Sequence, residues 1–203
     1  MGIGRFRDSQ ELLTHATAFV GERTNSLLLD VGHCLQLTAA GSCAPFPAVP
    51  YCFATIDLFG ALYAGNASRG AHPTLNAARY MRDVMEYTDE QVDLLQRLFR
   101  HKLVHLAQPA PVVAMDDGRH VSWRSRHEPD PRHLQISRLS PGAAVQAPTW
   151  QVPADHEFCL SISMFADEIG ASVPQRYLPR LKGEAVLQDR FARAIGQFYD
   201  PAQ

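Results

Sequence analysis

Residues 112–123 place the tightest limit on what this chain can fold into. Val112, Val113, Ala114 and Met115 make a short apolar run, Asp116-Asp117-Gly118 supplies a turn, and His120, Val121, Ser122 and Trp123 read as a returning strand. A two-residue period does not wind into an amphipathic helix, so a β-hairpin must sit inside whatever the rest of the chain builds.

The rest carries helical spacing. Leu12, Leu13, Ala16, Phe19 and Val20, followed by Leu27, Leu28, Val31 and Leu35, predict one broken helix or two over residues 9–37, with Gly21 marking the break. Gly41, Pro45, Pro47 and Pro50 predict a loop over 41–50. Helix then resumes at Tyr51 with Phe53, Ile56, Leu58, Phe59 and Leu62, and stops at the Gly65-Asn66 turn signal. After Pro73, the residues Leu75, Ala78, Tyr80, Met81 and Val84 give another helical face, with Arg79, Arg82 and Asp83 solvated; Tyr63 and Tyr80 are read as packing residues. Thr88-Asp89-Glu90-Gln91 has the form of a capping box, opening a helix that should run to about Leu106 and end before Pro109.

Beyond the hairpin, residues 133–137 alternate as a third strand. A Pro- and Ala-rich loop over 140–153 leads to helices near 155–170 and 184–199. No internal repeat is present. The expected fold is mainly α: a helical bundle over residues 1–203 as a single domain, with a small β-hairpin or three-strand insertion at 111–138.

Composition narrows the function classes. At 203 residues with 46% apolar and 20% charged content, the chain has the make-up of an ordinary globular domain. Lys plus Arg number 19 against 21 Asp plus Glu, so there is no global attraction to phosphate backbones and any nucleic-acid contact must be local. Charge interrupts the apolar stretches before the roughly 20 residues of a membrane span, and residues 1–10 lack the apolar core of a signal peptide. No transmembrane helix and a cytoplasmic location are the expectations. Cys34, Cys43, Cys52 and Cys159 form no C-x-x-C pair, which argues against a zinc knuckle or redox motif and for buried thiols in a reducing compartment. No Gly-rich phosphate loop follows a strand and no G-x-S-x-G elbow occurs, so nucleotide- and serine-hydrolase readings lack support.

The chemistry concentrates in Arg100-His101-Lys102-Leu103-Val104-His105. On an ideal wheel Val92, Leu95, Phe99, Leu103 and Leu106 share the buried arc, while His101 and His105, four apart, sit beside Leu94 and Leu98 on a second, partly apolar stripe that a second subunit could cover. Arg100 and His105 are about 140° apart at about 100° per residue, so they do not share a face. An imidazole with a pKa near about 6.5 can take a proton from a ribose 2′-hydroxyl and return one to the leaving 5′-oxygen. A guanidinium can hold the phosphate and offset transition-state charge. The bland alternative is a set of cations favoured in a helix's last turn by its negative end.

The R-x4-H run, with a polar residue directly after the Arg and an amphipathic helix around it, resembles the signature of the HEPN superfamily (higher eukaryotes and prokaryotes nucleotide-binding). The resemblance covers the helical portion from roughly residue 51 to 106. It implies a HEPN-type helical fold and a metal-independent endoribonuclease acting as a homodimer, leaving a 2′,3′-cyclic phosphate and a 5′-hydroxyl. Arg100 and His105 would be catalytic with His101 assisting, on single-stranded RNA or a tRNA loop, without cofactor. It further implies a toxin or phage-defence role with an antitoxin or sensor partner. The alternative within the same resemblance is a catalytically silent module that dimerises or binds a nucleotide or partner.

Three further groups bear on this. Lys102 could add positive charge at the substrate, but it stands where a zincin needs Glu, so the His101-x3-His105 spacing does not make a metalloprotease, and no metal is expected. Asp57, embedded in an apolar helix, could contact Arg100 or an imidazole on the substrate side; a place on that helix's solvated edge is the alternative. Arg119, His120, Trp123, Arg124, Arg126 and His127 could form a nucleic-acid surface, a charged solvated hairpin edge being the commoner reading.

Overall fold

A computed structural model describes residues 5–68, 70–101, 109–146 and 151–200. The chain is predominantly helical with a small mixed sheet. It divides into two compact units, one of Met1–Asp30, Cys52–Thr88 and Asp167–Gln203, the other of Val31–Tyr51 and Asp89–Ala166.

Helix α1 runs unbroken over Ser9–Leu35. Gly21 does not break it, since a single glycine costs a helix about 1 kcal/mol and the apolar residues on either side stay in phase. Helix α2 spans Pro45–Ala64 and corrects the expected loop over 41–50, which ends at Ala44. The first four N–H groups of a helix have no intrahelical partner, so Pro45 and Pro47 remove nothing; of the three prolines only Pro50 costs a bond. The C-terminus falls as expected at Gly65, whose φ of +74° a side chain would strain and whose N–H closes on Ala61 O at 2.9 Å. Among the described residues α2 alone is long and apolar enough to cross a membrane, but 56% of its apolar window is buried, and Phe53, Ile56, Phe59 and Leu62 are the core of the fold.

In the first unit, α3 (Pro73–Asp83) brings Tyr80 against Tyr63 of α2 and against Tyr177, three rings meeting edge-on with centroids 6.0–6.4 Å apart. Tyr63 and Tyr80 are buried, as their packing role requires. One long helical stretch follows the sheet: α5 (Ile162–Ser172), a π-helical turn (Val173–Tyr177) and α6 (Leu178–Gly183), then α7 (Ala185–Phe198).

In the second unit, α4 (Asp89–Leu94) starts one residue after Thr88, as the capping signal predicts, and continues as a π-helical turn over Leu95–Arg100. The hairpin forms: β1 (Val113–Ala114) pairs antiparallel with β2 (His120–Arg126), Val113 opposite Val121, around Gly118 at φ +87°. β3 (Ile136–Arg138) starts later than expected, because Leu134 sits at φ +56° outside any strand. β4 (Ala144–Gln146) and β5 (Gln151–Pro153) pair within the segment read as a loop. The largest departure is β6 (His156–Ser161), expected as the start of a helix. It lies between β2, to which it is parallel, and β3, to which it is antiparallel, giving the order β1-β2-β6-β3. Phe158, Cys159, Leu160 and Ser161 are all buried, so this central strand is covered on both faces and loses the alternation that would have marked it.

Candidate functional site

The proposed motif lies where the helix opened at Asp89 changes register. His101 N–H closes on Gln96 O, a five-residue step, and the wider turn rotates each residue by less than the 100° assumed for an α-helix. The result is burial almost all round: Val92, Leu94, Leu95, Gln96, Leu98, Phe99 and Arg100 are all buried. Leu94 and Leu98 of the second stripe are thus covered within the chain, while His101 on the same stripe is exposed.

Arg100 is only 8% exposed, while His101 next to it is exposed. The Gln96 side chain, one turn before Arg100, is buried with both Nε2 and Oε1 unpartnered. Lys102 and His105 lie outside the described residues. Asp57 is half-buried in the first unit, whereas Arg100 and His101 belong to the second, and it lines a cavity of about 360 Å3 with Asn66, Asn76 and Phe198.

The hairpin cluster is bound up with itself. Arg119 pairs with Glu90 and with Asp117 at 2.6 Å, Arg124 with Glu157 at 2.7 Å, and Arg126 with Asp130 at 3.7 Å. Trp123 is half-buried and packs edge-on against Phe99 and Phe46, with centroids 5.7 and 6.4 Å away. Arg97 ties the motif helix to β1 through Ala114 O at 2.7 Å. These contacts tie the cluster into the second unit, with three of its arginines facing carboxylates and its tryptophan packed on two rings.

Among the described residues no three His, Cys, Asp or Glu side chains assemble into a metal-binding group. All four cysteines are free thiols, Cys52 and Cys159 buried and Cys34 and Cys43 half-buried.

A polar cluster absent from the sequence reading lies in the first unit. The Tyr87 hydroxyl donates to the Glu168 carboxylate, and burial first, then the Glu168 charge and hydrogen bond, push its pKa well above the usual phenol value. Arg176 donates through one nitrogen to Val84 O at 3.2 Å and Met85 O at 3.1 Å, and pairs through the other with Glu86 at 3.0 Å. Glu86 holds the left-handed conformation at φ +63°. The partners are some 80–90 positions apart in sequence, and the one local signal was Pro174, which lacks the N–H an α-helix would use and stands within the π-helical turn.

No family model, characterised protein or solved structure matches the chain.

Proposed function

We propose that this chain is a HEPN-like helical module that acts by binding, with the Arg100 helix serving the fold and not RNA cleavage. The burial of Arg100 carries this reading. To hold a scissile phosphate a guanidinium must present at least two N–H groups to an anion that arrives with its own hydration and counterions. A side chain 8% exposed meets no such strand unless the helix opens. The carboxylates facing Arg119, Arg124 and Arg126 point the same way, since they offset the positive charge the hairpin would bring to a backbone. The helical architecture and an R-x4-H run whose Arg100 ends a helical turn support the HEPN-like assignment.

RNA cleavage is the second reading, favoured by the π-helical turn that ends on Arg100 and by the unpartnered Gln96 amide; π-bulges and unsatisfied buried groups gather at working sites. In that case Arg100 and His105 would act on single-stranded RNA or a tRNA loop, His101 and Lys102 assisting, in a homodimeric cytoplasmic toxin or defence effector restrained by a partner. One assay separates the two. End-labelled total tRNA and a single-stranded RNA are incubated in excess chelator with wild type, Arg100→Ala and His105→Ala, and product ends are identified. The binding reading expects no cleavage above blank from any of the three. Cleavage by wild type to cyclic-phosphate ends, lost in both variants, establishes the nuclease instead.

A further inference from the structure

The last turn of α1 and the residues that lead into α2 are joined at the backbone, where Ala44 N–H donates to Cys34 O at 2.8 Å. Across such a bond the Cα of the acceptor residue and the Cα of the residue before the donor lie about 5–6.5 Å apart, as residues i and i+3 do along an α-helix. Cys34 and Cys43 are that pair. A disulfide asks for Cα atoms roughly 4.4–6.8 Å apart, so the backbone already stands at bridging distance.

The loop between them is set in advance as well. Thr38 N–H closes on Ser42 O at 2.7 Å, the two hydroxyls meet at 2.8 Å, and Gly41, at φ +74°, returns its N–H to Thr38 O at 2.8 Å. Because its ends are held together without a cross-link, the folded loop has little chain freedom left to lose when one forms. Access then separates this pair from the other thiols. Cys34 and Cys43 are half-buried, and residues 36–42 between them are exposed throughout. Cys52 and Cys159 are 0% and 2% exposed. Oxidation follows exposure, so an oxidant in solution meets the first two thiols and not the last two.

We infer that Cys34 and Cys43 form a reversible oxidation site, closing an intramolecular disulfide at the expense of a hydroperoxide. The sulfur of one thiol takes the terminal oxygen of the peroxide with its hydrogen; the O–O bond breaks, and the remainder leaves as water or an alcohol carrying the thiol proton. The second sulfur attacks the resulting sulfenic acid, an S–S bond replaces the S–O bond, and water leaves with the second proton. The two thiols together give up two electrons, which the peroxide accepts, and a dithiol restores them by exchange. The bridge fastens the end of α1 to the entry of α2, and it is independent of whether the Arg100 helix binds or cleaves.

The test uses the full chain, reduced and then treated with stoichiometric hydrogen peroxide, with free thiols counted by maleimide labelling in denaturant and the intact mass measured. Two of the four thiols should disappear with the loss of two hydrogens from a single chain, and both should return with dithiothreitol. Cys34→Ser and Cys43→Ser should each abolish that hydrogen loss, whereas the double variant Cys52→Ser/Cys159→Ser, which keeps only this pair, should retain it. If the double variant does not fold, fragmentation mass spectrometry of the oxidised wild type locates the bridge instead. Oxidation should also raise Tm by about 5 °C or more, the scale of closing a loop of about ten residues in a chain of this size. Four thiols persisting after peroxide, a bridge to Cys52, to Cys159 or to a second chain, oxygen added to the thiols in place of hydrogen lost, or a fall in Tm overturns the proposal.

Discussion

Gln96 and Arg100, one turn apart, are both buried polar side chains, but they carry opposite costs. The Gln96 amide has neither nitrogen nor oxygen bonded among the described residues, so its burial carries a desolvation cost that no hydrogen bond there offsets. Replacing it with an apolar side chain of similar length, Gln96→Leu, should raise stability by about 1 kcal/mol, read as an increased midpoint in urea with an unchanged slope. A loss of stability would mean that the amide is bonded in solution. Arg100→Ala should act the other way by roughly 2–4 kcal/mol, since it empties packed volume and strands whatever the guanidinium holds.

Asp130, between β2 and β3, sets a pH response at the same scale. The Arg132 side chain first, then its backbone N–H, with Arg126 adding, hold this carboxyl far below the usual carboxylate range. A depressed folded-state pKa gives stability that is present above the unfolded value, near about 4, and is lost as pH falls through the folded one. The stability gap between wild type and Asp130→Asn should therefore be constant above about pH 5 and narrow steadily below about pH 4. A gap that stays level to pH 2 would show that Asp130 is not held by the arginines.

At the scale of the element, two glycines that look alike in sequence separate on their surroundings. A Cβ at Gly21 in α1 would meet nothing within 4 Å, so Gly21→Ala should gain about 0.5–1 kcal/mol of helix propensity. A Cβ at Gly60 in α2 would sit 2.6 Å from the Asn76 carbonyl of α3 and 2.8 Å from Ala77 N. Backbone cannot yield as a side-chain tip can, and overpacking costs about 1–3 kcal/mol or more, so Gly60→Ala should be destabilised despite the same propensity gain. Thermal unfolding of the pair checks the contrast in sign.

The same surroundings explain what could be read in the residues beforehand. The starts of α3 and α4, the end of α2 at Gly65 and the hairpin at Gly118 were legible because proline, capping and positive-φ signals act within a few residues. The beginning of α2 does not show in the residues because Pro45, Pro47 and Pro50 together signal a loop, although two of them fall where no hydrogen bond is owed. β6 was missed because burial on both faces erases the period that separates strand from helix. Arg100 was legible as a cation on an apolar helix, but its burial was not, since that depends on the π-helical register. Tyr87, Glu168 and Arg176 carry no joint signature at all; only the fold brings residues 80–90 positions apart to one cluster.

For the whole molecule, the informative fact is where the chain passes from one compact unit to the other. Three of the crossings fall inside helices, between Asp30 and Val31 in α1, Tyr51 and Cys52 in α2, and Ala166 and Asp167 in α5. An exposed linker lets its neighbours unfold independently, whereas a helix interior does not, because hydrogen bonds span the division and each turn leans on the next. The two units should then melt as one. Trp123 packs on Phe99 and Phe46 within the second unit, so in a Trp150→Phe background the fluorescence follows that unit, while far-ultraviolet circular dichroism follows helices of both. In urea the two signals should trace one transition with a common midpoint, the mark of two-state behaviour. A fluorescence midpoint that leaves most of the helical signal standing would show that one of the three helices breaks at the division, and that the units are separate cooperative bodies joined by a hinge in helical form.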